Sequence, residues 1–300
     1  MYIGRFAPTP SGPLHFGSIV TAIASYLDAK AHRGKWLVKI DDIDKPRVLK
    51  VAENSILQSL ELLGLNWDGK LSHQSERIES YQYYLDVLNK KDHLYLCSCS
   101  RKTIQASGKN GLDGIIYNGA CRNKVHTDFF KNAYRVKVNN SLLVLKDQIQ
   151  GKIKQNLAKD IGDFIVKRSD QIFAYQFAVV IDNYLDKITH ICRGNDLINS
   201  LPRQQYLHQL LSFNFPISLH IPKATKNQKK LSKGHGDRLS IKGNESALWV
   251  EALKFLGQPI EDEFISLNVK EIIPEAIKNW SVDYIPKSTS IEVVGNIHTL

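Results

Sequence analysis

Residues 5–18 read RFAPTPSGPLHFGS, and residues 230–234 read KLSKG. The first stretch passes from a β-prone segment (residues 2–6) through a Pro/Gly-rich turn into an apolar-periodic helix beginning near Gly17. A strand, a turn and a helix N-terminus in that order present unpaired backbone N–H groups and the positive end of a helix dipole, a combination that favours an anion. His15 falls at the mouth of that helix, where an imidazole can donate to a phosphate oxygen. Lys233 can bring an ammonium group to the same phosphates from a loop more than 200 residues away. Gly12 and Gly17 let backbone approach a nucleotide, while Pro8, Pro10 and Pro13 stiffen the turn. Either stretch alone has an ordinary reading, one as a strand-to-helix connection and the other as a lysine-rich loop. Together and in this order they point to attack of a carboxylate on the α-phosphate of a nucleoside triphosphate, where the protein positions the reactants and stabilises charge building on phosphate oxygens.

The two stretches resemble the HIGH and KMSKS signatures of the class I aminoacyl-tRNA synthetases, with Ser18 where that family has its second histidine and KLSKG in place of KMSKS. The surrounding residues narrow the resemblance to the glutamyl-Q tRNA(Asp) synthetases, relatives of the glutamyl-tRNA synthetase catalytic core. It extends over most of the chain to about residue 240 and is weaker beyond. The resemblance implies an ATP site made by His15, Gly17, Ser18, Lys230, Ser232 and Lys233, with His15 and Lys233 catalytic. It also implies a pocket in which Arg5, Phe6, Ala7, Pro8, Thr9, Asp41, Tyr175 and Arg193 hold L-glutamate. The chemistry is coherent for a dicarboxylic amino acid. Each guanidinium can hold one carboxylate through paired, charge-assisted bonds, Asp41 can accept the α-ammonium, and the Tyr175 hydroxyl adds a directional contact. Such a site rejects glutamine, because one buried arginine then loses its ionic partner. Asp41 departs from the family pattern: the chain reads KIDD where the synthetases read RIED, so a shorter carboxylate must come closer to the amine or use a water.

Cys97 and Cys99 form a CxC pair, followed by Cys121. By spacing alone, three thiolates and one further ligand can complete a tetrahedral structural zinc site, or the three can be buried free thiols. His93, Asp113, Tyr117 and His126 are all available as a fourth ligand. The family resemblance implies Cys97, Cys99, Tyr117 and Cys121, one structural zinc ion, and Mg as the counter-ion of ATP. Cys192 stands apart and reads as a small buried residue.

Positioning these groups requires a particular frame. A helical stripe over residues 17–34, an apolar strand over 36–40 (WLVKI), and helices over 48–63 and 77–89 give a β-α-β-α rhythm, which predicts an α/β, doubly wound parallel-sheet (Rossmann-like) core. Residues 93–170, with the cysteines, three glycines in GKNGLDG and β-like stretches AYRVKV and SLLVLKD, read as a zinc-containing insertion. Parallel-sheet character is expected to return with FAYQFAVVIDN and ITHICRGNDL, followed by a helical LPRQQYLHQLLSF. The expected units are thus 1–92 and 171–238 as the two halves of the core, 93–170 as the insertion, and 239–300 as a small, mainly helical C-terminal domain.

The formal charge of +10 fits an anionic partner, and 43% hydrophobic with 23% charged residues is ordinary globular composition. No basic-plus-apolar leader or membrane-length apolar run is visible, and the cysteines do not read as a disulfide scaffold, so the expected location is cytoplasmic, with no membrane contact and a monomer favoured. About 66 residues follow Gly234 (300 less 234), too few for the anticodon-reading domains of a full glutamyl-tRNA synthetase. By resemblance the activity is tRNA-independent activation of glutamate by ATP, then transfer to queuosine in the anticodon of tRNA(Asp). The alternatives are a shortened glutamyl-tRNA synthetase charging a tRNA 3′ end and a non-catalytic, zinc-stabilised RNA-binding module.

Overall fold

The computed structural model describes residues 1–125, 131–226, 229–230, 240–260, 264 and 266–293. Strands β1 (Ile3–Phe6), β2 (Lys35–Ile40) and β3 (Ser72–His73) form a parallel sheet in that order. The chain crosses between them as helices α1 (Phe16–Ala31) and α2 (Lys50–Leu62), and α3 (Ile78–Lys90) follows. A second sheet takes β11 (His190–Gly194) and β12 (Ile217–Ile221), parallel to each other, and then the hairpin of β8 (Leu142–Asp147) and β9 (Gly151–Asn156). The two sheets meet where β1 and β11 begin: Thr189 N–H donates to Ile3 C=O at 2.9 Å, and Ile3 N–H donates to Thr189 Oγ1 at 2.8 Å. From that seam one half of the chain builds outward through β2 and β3 and the other through β12. This reversal of strand order opens a crevice at the strands' carboxyl ends, the place where α/β sheets bind ligands.

α1 forms because its apolar residues recur at helical spacing. Ile19, Ile23 and Leu27 are completely buried, and small residues such as Ala22 and Ala24 let the helix lie close against its neighbours. It stops at His32, after which Arg33 turns with φ of 52°. Residues 173–183 (FAYQFAVVIDN) correct the sequence expectation, for they are not a strand. Tyr175–Leu185 is helix α6, with Phe177, Val180 and Ile181 fully buried. A short β-branched run fits either period, and here packing against α3 and against α7 (Leu201–Leu211) decides it.

The region after α3 divides. β4 (Leu94–Cys97), β7 (Ala133–Val136) and β10 (Ile165–Lys167) make their own antiparallel sheet, packed with α3, α6 and α7 in a second core. Around it lie α4 (Arg101–Ser107), the hairpin β5 (Lys109–Gly111) and β6 (Gly114–Ile116), which orders the GKNGLDG stretch, and α5 (Leu157–Asp160). β8 and β9 belong by hydrogen bonding to the sheet of the second half, although they lie within residues 93–170.

A buried polar network joins the halves. The Asp182 carboxylate on α6 accepts from Gln74 Nε2 and Tyr81 Oη, both at 2.8 Å, and pairs with Lys39 at 3.0 Å and Arg77 at 3.2 Å. Asp186, one turn on, pairs with the same two cations at 2.5 Å each. After β12 come β13 (Lys223–Lys226), β14 (Lys229–Lys230), α8 (Glu245–Phe255), α9 (Val269–Asn279) and β15 (Ser290–Glu292), which returns to pair with β13. α8 and α9 pack on α1 and share the first core. Trp249 is fully buried and donates its indole N–H to the carbonyl of Leu63 at 2.9 Å. Among the described residues no helix is long and apolar enough to cross a membrane.

Because the described residues of α8 and α9 pack into the first core, denaturant unfolding should remove them together with the first half in one transition. Trp249→Phe, which orphans the Leu63 carbonyl, should lower stability by about 1–3 kcal/mol. An early, independent loss of the C-terminal helices would contradict the shared core.

Candidate active site

The crevice is a cavity of about 310 Å³ lined from both halves of the chain. Arg5 and Phe6 at the end of β1, Ala7, Pro8 and Thr9 in the following turn, and Asp41 just past β2 come from the first half. Tyr175, the first residue of α6, and Arg193 near the end of β11 come from the second. His15, Gly17 and Ser18 at the start of α1 line the same space. All eight residues expected for the amino acid, and three of the six expected for the nucleotide, are thus brought together. Of the others, Lys230 ends β14, while Ser232 and Lys233 lie outside the described residues. Lys223 and Ala224, at the start of β13, also line the cavity, so the strand leading to KLSKG departs from its wall.

Both arginines are buried, at 6% exposure for Arg5 and 3% for Arg193. Arg5 Nε donates to Asn183 Oδ1 on α6 at 3.4 Å. Arg193 Nε donates to His220 Nε2 at 2.9 Å and its Nη1 to Tyr175 Oη at 3.4 Å, while Nη2 has no hydrogen-bond partner among the described residues. Burial weakens the hold of Arg193 on its proton; Tyr175 opposes this and Arg5 adds to it. Asp41 is buried, its backbone N–H donates to Pro8 C=O at 3.0 Å, and its Oδ1 also lacks a partner among the described residues. Burial, then repulsion from Asp182, pushes the Asp41 carboxyl up to about 7 despite Arg5 and Lys39. Among the described residues Arg193 and Asp41 thus carry a buried donor on a cation and a buried acceptor on a carboxyl group without partners, an arrangement that costs free energy.

His15 is the N-cap of α1. Its Nδ1 accepts from Ser18 N–H at 3.3 Å and its Nε2 lies 3.0 Å from Ser18 Oγ, so in the neutral ring Nε2 carries the proton. Gly17 keeps this corner open, since a Cβ there would stand 3.3 Å from the imidazole. No acidic residue occupies the first turn of α1, so the helix's positive end faces the cavity without a carboxylate of its own.

Apart from the cavity, Cys97, Cys99 and Cys121 place three sulfurs within 4.8 Å of one another. Cys99 and Cys121 Sγ are 3.4 Å apart, and Tyr117 Oη lies 3.3 Å from Cys97 Sγ and 3.5 Å from Cys99 Sγ. A tetrahedral zinc ion requires S–S edges of about 3.8 Å and S–O edges of about 3.5 Å, so this donor set fits one. Gly162, at φ of 76°, lets the segment bearing Tyr117 pass, as a Cβ there would meet the Tyr117 carbonyl at 2.5 Å. The Arg135 guanidinium stacks 3.8 Å from the Tyr117 ring centroid. Of the other candidate ligands, Asp113 is ion-paired with Arg203, and His126 lies outside the described residues.

Asn183, His220 and Asp147 also stand at or behind the site, and no motif in the sequence marks them. His220 and Asp147 are 73 residues apart, with no shared motif. Reading residues 173–183 at a 3.6-residue period would have placed Asp182 on the Tyr175 side of a helix, next to Asn183.

The family model for the class I (E and Q) tRNA synthetase catalytic domain matches residues 3–273. The glutamate-tRNA synthetase of Elizabethkingia anophelis superposes with a TM-score of 0.83 at 23% identity, covering 99% of this chain and 69% of that one. The methionyl-tRNA synthetase of Mycobacterium tuberculosis superposes at 0.54 with 10% identity, over 88% of this chain and 67% of that one. The fold is that of a class I tRNA synthetase catalytic domain. The glutamyl-Q tRNA(Asp) synthetase of Thiobacillus denitrificans is 41% identical over 286 residues, 95% of each chain, and that of Neisseria meningitidis 40% identical over 292 residues, 96% of this chain and 98% of the relative. The chain belongs to the glutamyl-Q tRNA(Asp) synthetase family.

Asp41 holds its proton more tightly in the folded protein than in the unfolded chain, where the ordinary value is 3.8. Its contribution to stability is therefore complete below pH ~4 and is lost as the pH rises through about 7. Carboxyl-carbon NMR should show one titration near neutrality that disappears in Asp41→Asn. Its absence in the parent protein would refute the assigned environment.

Proposed function

We propose that this enzyme condenses L-glutamate with ATP to glutamyl-adenylate, without requiring tRNA, and transfers the glutamyl group to queuosine in the anticodon of tRNA(Asp). The observation that carries the amino-acid part is that two buried guanidinium groups, Arg5 and Arg193, line one cavity together with the Asp41 carboxyl. Two carboxylates and one ammonium are the groups such a wall complements. The tRNA part is supported by the names of the curated relatives, glutamyl-Q tRNA(Asp) synthetases from several bacteria.

In the activation step an α-carboxylate oxygen attacks the α-phosphorus, an O–P bond forms, and the bond to the bridging oxygen breaks as pyrophosphate leaves. The first turn of α1 and the His15 Nε2–H stabilise charge on the phosphate oxygens, and Lys233 is assigned to the same phosphates from its loop. Mg, bound with ATP, screens charge on the outer phosphates. The side-chain carboxylate takes no part in bonding, so its guanidinium serves to orient the amino acid and to exclude amide analogues. In the second step a hydroxyl oxygen of the queuosine cyclopentenediol attacks the acyl carbon, the acyl–oxygen bond to the phosphate breaks, AMP departs with that electron pair, and the hydroxyl proton passes to the departing phosphate.

Cys97, Cys99, Tyr117 and Cys121 are the residues that would hold one structural zinc ion in the insertion. All four coordination positions are then filled by protein, so the metal's role is to fix the fold of the segment carrying them. Burial and the surrounding sulfurs keep the Tyr117 phenol protonated, and a bound dication would favour its ionised form.

Glutamate-dependent ATP–pyrophosphate exchange without tRNA is the direct test, followed by glutamyl transfer to tRNA(Asp) with and without queuosine. Exchange that needs tRNA, or transfer to queuosine-free tRNA(Asp), would overturn the proposal. Arg193→Ala should raise the KM for glutamate on the order of 100-fold, since one partner of a buried charge pair is removed. Lys233→Ala should slow exchange while leaving that KM nearly unchanged. Metal analysis of protein purified without chelators should find one zinc per chain, lost in Cys121→Ser, and a zinc-free preparation would reject the cluster's assignment.

A further inference from the structure

Arg193 does not stand alone in the cavity wall. It and His220 are register partners on the parallel strands β11 and β12, so their side chains leave the same face of the sheet. Arg193 Nε donates to His220 Nε2 at 2.9 Å, and His220 Nδ1 lies 2.6 Å from Asp147 Oδ2, at the end of β8. His220 and Asp147 are completely buried. The other Asp147 oxygen accepts backbone N–H groups of Ile149 at 3.1 Å, Gln150 at 2.9 Å and His220 at 3.2 Å.

The proton positions in this chain are determined by what each partner can do. A guanidinium nitrogen only donates, so His220 Nε2 accepts and the ring proton sits on Nδ1, where it donates to Asp147. The imidazole is neutral: burial, reinforced by Arg193, brings His220 down to about 4 against the pull of Asp147. Burial pushes the Asp147 carboxyl up, but the hydrogen bonds from His220 and the backbone outweigh it and hold it ionised.

We propose that Asp147 and His220 are positioning residues that fix the plane of the Arg193 guanidinium in the cavity wall, where it meets a substrate carboxylate. Arg193 lines the cavity, and with Nε held by His220 and Nη1 by Tyr175, rotation of the fork breaks at least one bond. The inference rests on Arg193 acting as a carboxylate ligand.

The test compares Arg193→Ala, Asp147→Asn, His220→Leu and His220→Gln of the full chain in ATP–pyrophosphate exchange, with separate KM values for glutamate and ATP. In Asp147→Asn the amide nitrogen facing Nδ1 forces the proton to Nε2, which then opposes the Arg193 Nε–H donor to donor. Asp147→Asn and His220→Leu should raise the KM for glutamate on the order of tenfold, with the KM for ATP unchanged. His220→Gln, whose Oε1 can accept from Arg193, should return it to within about threefold of the parent. If Arg193→Ala raises the KM for glutamate while Asp147→Asn and His220→Leu leave it alone, the positioning role is refuted and the pocket stands. If Arg193→Ala also has no effect, the pocket assignment itself fails. Equal rises in both KM values would mark a structural role and overturn the proposal. Should Asp147→Asn not fold, His220→Leu against His220→Gln decides, and equal glutamate KM values for the two would overturn it.

Discussion

Two guanidinium groups buried in one small cavity repel each other and resist dehydration, and the surrounding architecture is organised around holding them there. Arg5 and Arg193 occupy the carboxyl ends of β1 and β11, the two strands that flank the seam between the sheets. Each is restrained through Nε by a neutral acceptor, Asn183 for one and His220 for the other, and neither acceptor cancels the charge. Among the described residues, Asp41 and Asp196 are the carboxyl groups that line the same cavity. The Asp41 carboxyl gives up its proton only near neutrality, because burial and Asp182 disfavour its charge more than Arg5 and Lys39 favour it.

Helix α6 does more than complete the second core. Its first residue, Tyr175, lines the pocket, Asn183 holds Arg5, and Asp182 and Asp186 bind Lys39, Arg77, Tyr81 and Gln74 from the first half. A single helix from the second half thereby fixes the register between the halves. Its apolar face packs on α3 and α7, so the orientation of these polar groups depends on close-packed side chains. The cysteine cluster lies outside this arrangement. It sits in a small core of its own with Tyr95 and Ile104, consistent with local structural support for the segment that carries it.

The N-terminal strand–turn–helix, the β-α-β-α rhythm of the first half and the cysteine cluster were legible along the chain because each depends on neighbours close in sequence. Capping by His15, the helical period of α1 and the spacing of Cys97 and Cys99 all arise within a few turns of backbone. Residues 173–183 were misread as strand because a short β-branched run has no decisive period, and packing chose the helix. The hairpin of β8 and β9 gives no sign in its own sequence that it will lie beside β12, since an alternating strand records which face is buried and not which strand it joins.

By itself the sequence determined the kinds of groups available: two arginines, an acid and a tyrosine in family-like order, a histidine at a helix start, and three cysteines with a nearby tyrosine. Tertiary structure alone decided which nitrogens of Arg193 are held, and that Asp147, 73 residues from His220, stands beneath both. The reason is physical. Residue type and local spacing specify chemistry and secondary structure, whereas hydrogen-bond direction, tautomer and proton affinity in a buried site depend on groups that only long-range strand pairing brings within 3 Å of one another.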